Sequence, residues 1–148
     1  MPYWFDGNNL IGQSAALSSS RPHLRQKFLS TLGAYYRAGG GRFLVYFDGD
    51  DTTKTMPPAG IRIRYSAPLS ADEAIIRRLR EIRHPQEVIV VSNDRELQNR
   101  CRNSQAKVLD WHQFTSRMRS RNVRQSRQGD PEEAVDVEDW MRYFGVEE

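Results

Sequence analysis

Cysteine is almost missing from this sequence: Cys101 is the only one. A single thiol excludes an internal disulfide and a cysteine-rich zinc site, and it suits a reducing cytoplasm. Histidine is nearly as scarce, and His23, His84 and His112 have no metal-ligand spacing, so they read as surface residues. No apolar run approaches the length of a membrane span. The first residues also lack the basic-then-apolar pattern of a secretory signal. The expectation is a cytoplasmic protein without a membrane partner.

The 148 residues are enough for one ordinary domain with a real core. The formal net charge of +3 hides an asymmetry. Residues 130–148 hold eight acids and one base, Arg142, so the tail carries −7. Subtracting it from 22 Lys/Arg and 19 Asp/Glu leaves 21 against 11, or +10, on residues 1–129. A body that basic suits a polyanionic partner, although an Arg-rich solvated surface has the same composition.

Apolar runs alternate with helix-period segments. "YWF" (3–5) and "RFLVYFD" (42–48) read as strands. "EVIVVSND" (87–94) is apolar without alternation, the pattern of a parallel strand buried on both faces. "AKVLDW" (106–111) resembles it, and the alternating "IRIRY" (61–65) suits an edge strand. Leu24, Phe28, Leu32 and Tyr35 mark a helix that "GGG" (39–41) ends. Ile75, Ile76, Leu79 and Ile82 form one stripe of a helix over 70–83. Two further helices are predicted from Asp94 to about Arg102 and from Trp111 to about Arg119. The fold class is therefore α/β, with a mostly parallel central sheet. Residues 1–119 form the domain and 120–131 a basic linker. In residues 132–148, Val137, Trp140, Met141 and Phe144 have helical spacing, so an acidic helix docked on the domain is expected.

Ligands of open parallel sheets gather at the carboxyl ends of strands. Asp6, Asp48, Asp94 and Asp110 all stand at such ends. Each has a structural alternative: Asp94 and Asp110 suit helix N-caps, and Asp48 and Asp6 suit turns. "SADE" (70–73) fits a capping box, with Ser70 as N-cap and Glu73 reaching back. Asp72 falls in line with Ile75, Ile76 and Leu79 and so faces the sheet, where an acid needs a partner. A helix-dipole contact would be one and a metal ion another. Hard carboxylates without His or Cys suit Mg2+ or Mn2+, and with those ions phosphoryl transfer or phosphodiester hydrolysis. Gly7 would let the chain turn after Asp6, and Asn9 would orient a ligand or water.

The same residues resemble a family. "FDGNNLIG" resembles the Asp-Gly-x-Asn opening of NYN domains, a branch of the PIN-like ribonucleases, with Asp6 and Asn9 at the motif positions. "VVSNDRELQ" resembles their Ser-x-Asp segment, with Ser92 and Asp94, and "VYFDG" supplies Asp48. "SADEAIIRRL" resembles the acid-bearing helix of the YacP-like group, with Asp72 and Glu73. The likeness runs in order over about residues 3 to 115. It implies a three-layer α/β/α PIN-like fold and a metal-dependent endoribonuclease with Asp6, Asp72 and Asp94 at its centre. Where many NYN domains carry a further Asp, two positions after the Ser-x-Asp acid, Glu96 stands here, as a metal ligand of longer reach.

RNA is then the expected partner, messenger RNA on the ribosome included. Arg77 and Arg78 on the Asp72 helix, Arg95 after Asp94, and the run Arg119, Arg121, Arg124 and Arg127 are candidate phosphate contacts. Two rival readings stand beside the nuclease. One is a PIN-like module that holds RNA without cutting it. The other is a haloacid-dehalogenase-type phosphatase, since Asp48, Asp50 and Thr52 fit Asp-x-Asp-x-Thr after a strand, with Asp48 as nucleophile.

Overall fold

The computed structural model describes residues 2–15, 21–37, 41–49 and 56–125. Strand β1 (Pro2–Asp6) runs directly into helix α1 (Gly7–Ala15), and α2 (Arg21–Arg37) follows. Next come β2 (Arg42–Phe47), β3 (Ile61–Tyr65) and α3 (Ala71–Glu81). The chain closes with β4 (Ile89–Val91), α4 (Arg95–Asn103), β5 (Lys107–Leu109) and α5 (Trp111–Gln125). The five strands form one sheet in the order β3-β2-β1-β4-β5, and every pair is parallel. The strand "YWFD" is central, "IRIRY" is an edge, and β1 pairs with β4 as Tyr3↔Ile89 through Phe5↔Val91.

The sheet has a core on each face. Tyr3, Phe5, Phe43, Val45, Phe47, Ile89 and Val91 point to one side, where α2 supplies Leu24, Phe28, Leu32 and Tyr35 and α5 supplies Trp111, Phe114 and Met118. Trp4, Tyr46, Val88 and Val90 point to the other, under Ile75, Ile76 and Leu79 of α3 and Leu97 and Cys101 of α4. This explains the unbroken apolar runs: alternate residues of one strand enter different cores. Aromatic rings lock the first core edge to face, with Phe5 and Phe114 centroids 5.0 Å apart at 86°. Strand β3 is covered on one face only. Ile61 is buried in the first core, whereas Arg62 and Arg64 are exposed on the opposite face.

Two elements depart from the sequence reading. Helix α1 is absent from it, because Gly7, Asn8 and Asn9 are poor helix formers. The helix is held instead by tertiary bonds described below and by the burial of Ile11. Gly7 accordingly serves a close approach rather than a turn. A Cβ there would lie 2.5 Å from Cε1 and 2.7 Å from Cδ1 of Phe47. Helix α5 extends to Gln125, so residues 120–125, read as the start of the linker, are helical. Residues 126–131 and the expected acidic helix over 132–148 lie outside the described residues. Among the described residues no helix is long and apolar enough to cross a membrane.

Gly7→Ala is expected to destabilise the protein by about 1–3 kcal/mol, the usual cost of overpacking against a ring that cannot withdraw. Urea denaturation would check this. Equal midpoints for variant and wild type would show that Phe47 gives way freely.

Candidate active site at the carboxyl ends of the central strands

Asp6 is the last residue of β1 and shares its pleat with Trp4, so it faces the α3 layer. It is 2% exposed. Burial is the main cause that pushes its carboxyl up to about 7, and the charges of Asp72 and Asp48 add to it. The Ser92 hydroxyl and the Asn9 backbone N–H pull the other way. Ser92 lies fully buried, just past β4, with Oγ 3.1 Å from Asp6 Oδ2 and 3.3 Å from Asn9 Oδ1. A hydroxyl has one proton, and the nearer, charged acceptor is the carboxylate. The same Oγ accepts the Asp94 backbone N–H at 3.1 Å.

The two asparagines after Asp6 work in opposite directions across the sheet. Asn8 Oδ1 accepts the Asp48 backbone N–H at 2.7 Å, at the end of β2. Asn9 Oδ1 accepts the Asn93 backbone N–H at 2.9 Å, at the end of β4. The Asn9 carbonyl, expected to orient a ligand or water, is therefore engaged by the chain. Asn93 carries the chain of bonds onward, accepting the Trp111 backbone N–H at 2.9 Å through Oδ1. The sequence reading missed Asn8 and Asn93, for an asparagine after a strand signals only a turn.

The remaining acids divide. Asp48 Oδ1 accepts the Ala71 backbone N–H at 2.7 Å and so fixes the start of α3 against β2. Asp72, in the first turn of α3, is partly buried, and its carboxyl is raised by desolvation and then by Asp94 and Asp48. Asp94 is the N-cap of α4, and its Oδ1 accepts from Glu96 N at 3.0 Å and Leu97 N at 3.4 Å. Asp6, Asp48, Asp72 and Asp94 therefore share one rim. Asp110 stands apart from them. It forms a reciprocal capping box with Gln113, at 2.7 Å to the Gln113 N–H and 2.9 Å from Asp110 N to Gln113 Oε1.

Two expected residues point elsewhere. Ser70 does cap α3, accepting the Glu73 N–H at 3.2 Å, but the Glu73 carboxylate pairs with Arg100 at 2.8 Å. That pair holds the exposed Glu73 carboxyl below its ordinary value. Glu96 is exposed, and its charge acts on Arg100. Arg100, one of the arginines that follow Asp94 and given no individual role from the sequence, is the cation whose charge opposes the upward shift of Asp72. Among the described residues, no three His, Cys, Asp or Glu side chains form a ready-made ligand set for one ion.

The candidate phosphate contacts are spread over three helices. Arg77 and Arg78 are exposed on α3, with Arg78 Nη1 3.6 Å from Glu81, and Arg95 is exposed at the start of α4. Arg119, Arg121 and Arg124 belong to α5 rather than to a linker, and Arg127 lies outside the described residues.

This fold and sequence have counterparts. The family model of the YacP-like NYN domain matches residues 4–140. The structure is similar to crystal structures of Rae1 (YacP) from Bacillus subtilis. A tryptophan-to-leucine variant of that protein matches with a TM-score of 0.68 and 16% identity, over 97% of this chain and 91% of that one. A second crystal structure gives 0.66 and 16%, over 99% and 88%. At that identity the likeness is one of fold. No curated protein sequence matches the chain significantly.

The raised carboxyl makes a test. An acid whose pKa is about 7 when folded and 3.8 otherwise holds its proton more tightly in the folded state. Stability is then fully present below the lower value and is lost as pH rises through the upper one. Asp6→Asn removes that loss and keeps an oxygen for the Ser92 hydroxyl. In chelator, the variant should exceed wild type at pH 8 by on the order of a few kcal/mol, at about 1.4 per pKa unit, and match it near pH 4. Urea denaturation at both values measures this. No gain at pH 8 would mean that Asp6 ionises without cost.

Proposed function

The chain belongs to the YacP-like NYN domain family, and from that premise we propose that it is a metal-dependent endoribonuclease. The observation that carries the reading is Asp6: a carboxylate buried at the end of the central strand, with the charges of Asp72 and Asp48 acting on it. Carboxylates so placed repel one another unless a proton or a cation joins them.

The donor chemistry fits Mg2+ or Mn2+. Such ions take hard oxygen ligands, and Mg2+ commonly keeps several waters while binding only one or two carboxylates. The lack of a closed three-ligand set among the described residues is compatible with that habit. Asp6, Asp72 and Asp94 would hold the ion. When bound, it supplies charge neutralisation at a phosphodiester and a water of lowered pKa.

The chain's own residues prepare the rim. Ser92 and the Asn9 backbone N–H restrict Asp6 to one orientation. Asp94 is oriented by its cap bonds through Oδ1. Asp48 sets the first turn of α3, which carries Asp72. RNA as substrate is supported by the basic body, +10 over residues 1–129, and by the family. Messenger RNA on the ribosome is one setting in which such a body would serve.

A non-cutting RNA-binding module is the second reading, and the exposed Glu96, at the position where many NYN domains carry an Asp, favours it. The phosphatase reading loses its ground with the family, and Asp48 is committed to the Ala71 N–H.

Cleavage of a single-stranded RNA by Asp6→Asn, Asp72→Asn and Asp94→Asn proteins should fall by orders of magnitude, with RNA binding retained. Asp94→Asn is the most informative, because Asn caps a helix as well as Asp does and the fold is spared. Mg2+ or Mn2+ should raise the melting temperature of wild type and not of Asp6→Asn. Undiminished cleavage in chelator, or full activity of Asp94→Asn, would overturn the proposal. Binding without metal-dependent cleavage would select the second reading.

A further inference from the structure

A cavity of about 280 Å3 lies between α3 and the uncovered face of edge strand β3. Arg64, Arg77 and Arg78 line it, with Glu81, Tyr46 and Ser66. Tyr46 and Ser66 are 3% and 5% exposed, and neither Tyr46 Oη nor Ser66 Oγ has a hydrogen-bond partner among the described residues. A buried hydroxyl left without a partner is destabilising, because it has given up water and gained nothing. Two of them in one cavity beside three guanidinium groups mark a place that lacks an acceptor. Glu81 pairs with Arg78 at 3.6 Å. Arg64 and Arg77 have no carboxylate partner among the described residues, so the cavity keeps positive charge. An anion with several acceptor oxygens meets both needs, as a phosphate group does.

Strand register ties this cavity to the acids. Tyr46 pairs with Asp6 on one side and with Arg64 on the other. The three residues form a row across β1, β2 and β3 that faces the α3 layer. Two strand spacings separate Arg64 from Asp6, roughly 10 Å between backbones. A larger cavity of about 750 Å3 shares Arg64 and Arg78 with it and adds Arg42, Arg62 and Arg83 against one acid, Glu87. A basic track of arginines spread over both cavities suits an extended polyanion better than a single free ion.

We infer that the cavity between α3 and β3 binds a backbone phosphate of the RNA strand, close to the bond presented to the acid rim, with Arg64, Arg77 and the Tyr46 and Ser66 hydroxyls as its donors. The inference deepens the ribonuclease reading and rests on it for the identity of the strand.

The test is the affinity of a labelled single-stranded oligoribonucleotide, measured by anisotropy in chelator so that the strand stays whole. Arg64→Ala should weaken binding roughly tenfold, the worth of one charge-assisted bond. Tyr46→Phe should weaken it several-fold while leaving the melting temperature unchanged or higher, because it deletes only an unpartnered hydroxyl. Arg102→Ala, an exposed arginine on α4 that bonds Asn99 at 3.1 Å, should change little and controls for bulk charge. Wild-type affinity in both Arg64→Ala and Tyr46→Phe would overturn the inference and leave the ribonuclease reading intact. Weakened binding in those variants, with no metal-dependent cleavage by wild type, would support the cavity and remove only the catalysis. Inorganic phosphate separates a free-ion site. Stabilisation by phosphate that is lost in the variants, with RNA affinity unchanged, would overturn the assignment to RNA, as would a wild type with no RNA affinity.

Discussion

The rim of this protein depends on the first turn of α1, whose two asparagines bond in opposite directions. Asn8 takes the backbone N–H at the end of β2, and Asn9 takes one at the end of β4. With β1 between them, three strand ends are fixed relative to one another by side-chain oxygens that accept from main chain. Such bonds stabilise modestly, about 1 kcal/mol each, but they are directional. The acids at those ends inherit their spacing. Asp48 then passes the order to α3 through Ala71, and Asn93 passes it to α5 through Trp111.

Within that frame, burial and like charge act together on Asp6. The second core removes water from its surroundings, and Asp72 and Asp48 supply the repulsion. Ser92 offsets part of this with a single proton. The Asp6 carboxyl is therefore held above its ordinary value by burial and like charge together, and a shift of that kind in a cleft marks a candidate site. Arg100 lies at its edge, drawn toward Glu73, and limits the shift at Asp72.

The same sheet places positive and negative chemistry on one face. β3 buries Ile61 beneath one layer and leaves Arg62 and Arg64 outside on the other. α3 carries an acid at its start and arginines along its exposed side, so it borders both the acid rim and the basic track. A polyanion lying along the track would be led to carboxylates that could not otherwise attract it.

Much of the fold could be read from residue order. The unbroken apolar run at β4 signalled two buried faces, aromatic and branched residues marked β1 and β2 as strands, alternation at β3 signalled an edge, and the stripe Ile75, Ile76 and Leu79 signalled the sheet-facing side of α3. Those patterns are local, because burial acts on each side chain through its own periodicity. The acids at strand ends were legible for the same reason, and the family motif placed Asp6, Asp72 and Asp94 in one site. Helix α1 was not legible, since Gly7, Asn8 and Asn9 disfavour it and only bonds to distant strands hold it. The partner of Glu73 was equally hidden: a capping box predicts Ser70, and Arg100 lies 27 residues away. Whether an acid is a cap, an ion-pair member or a free carboxylate depends on which groups the folded chain brings within reach. That separated Asp110 from Asp6, two acids at strand ends which no spacing along the chain distinguishes.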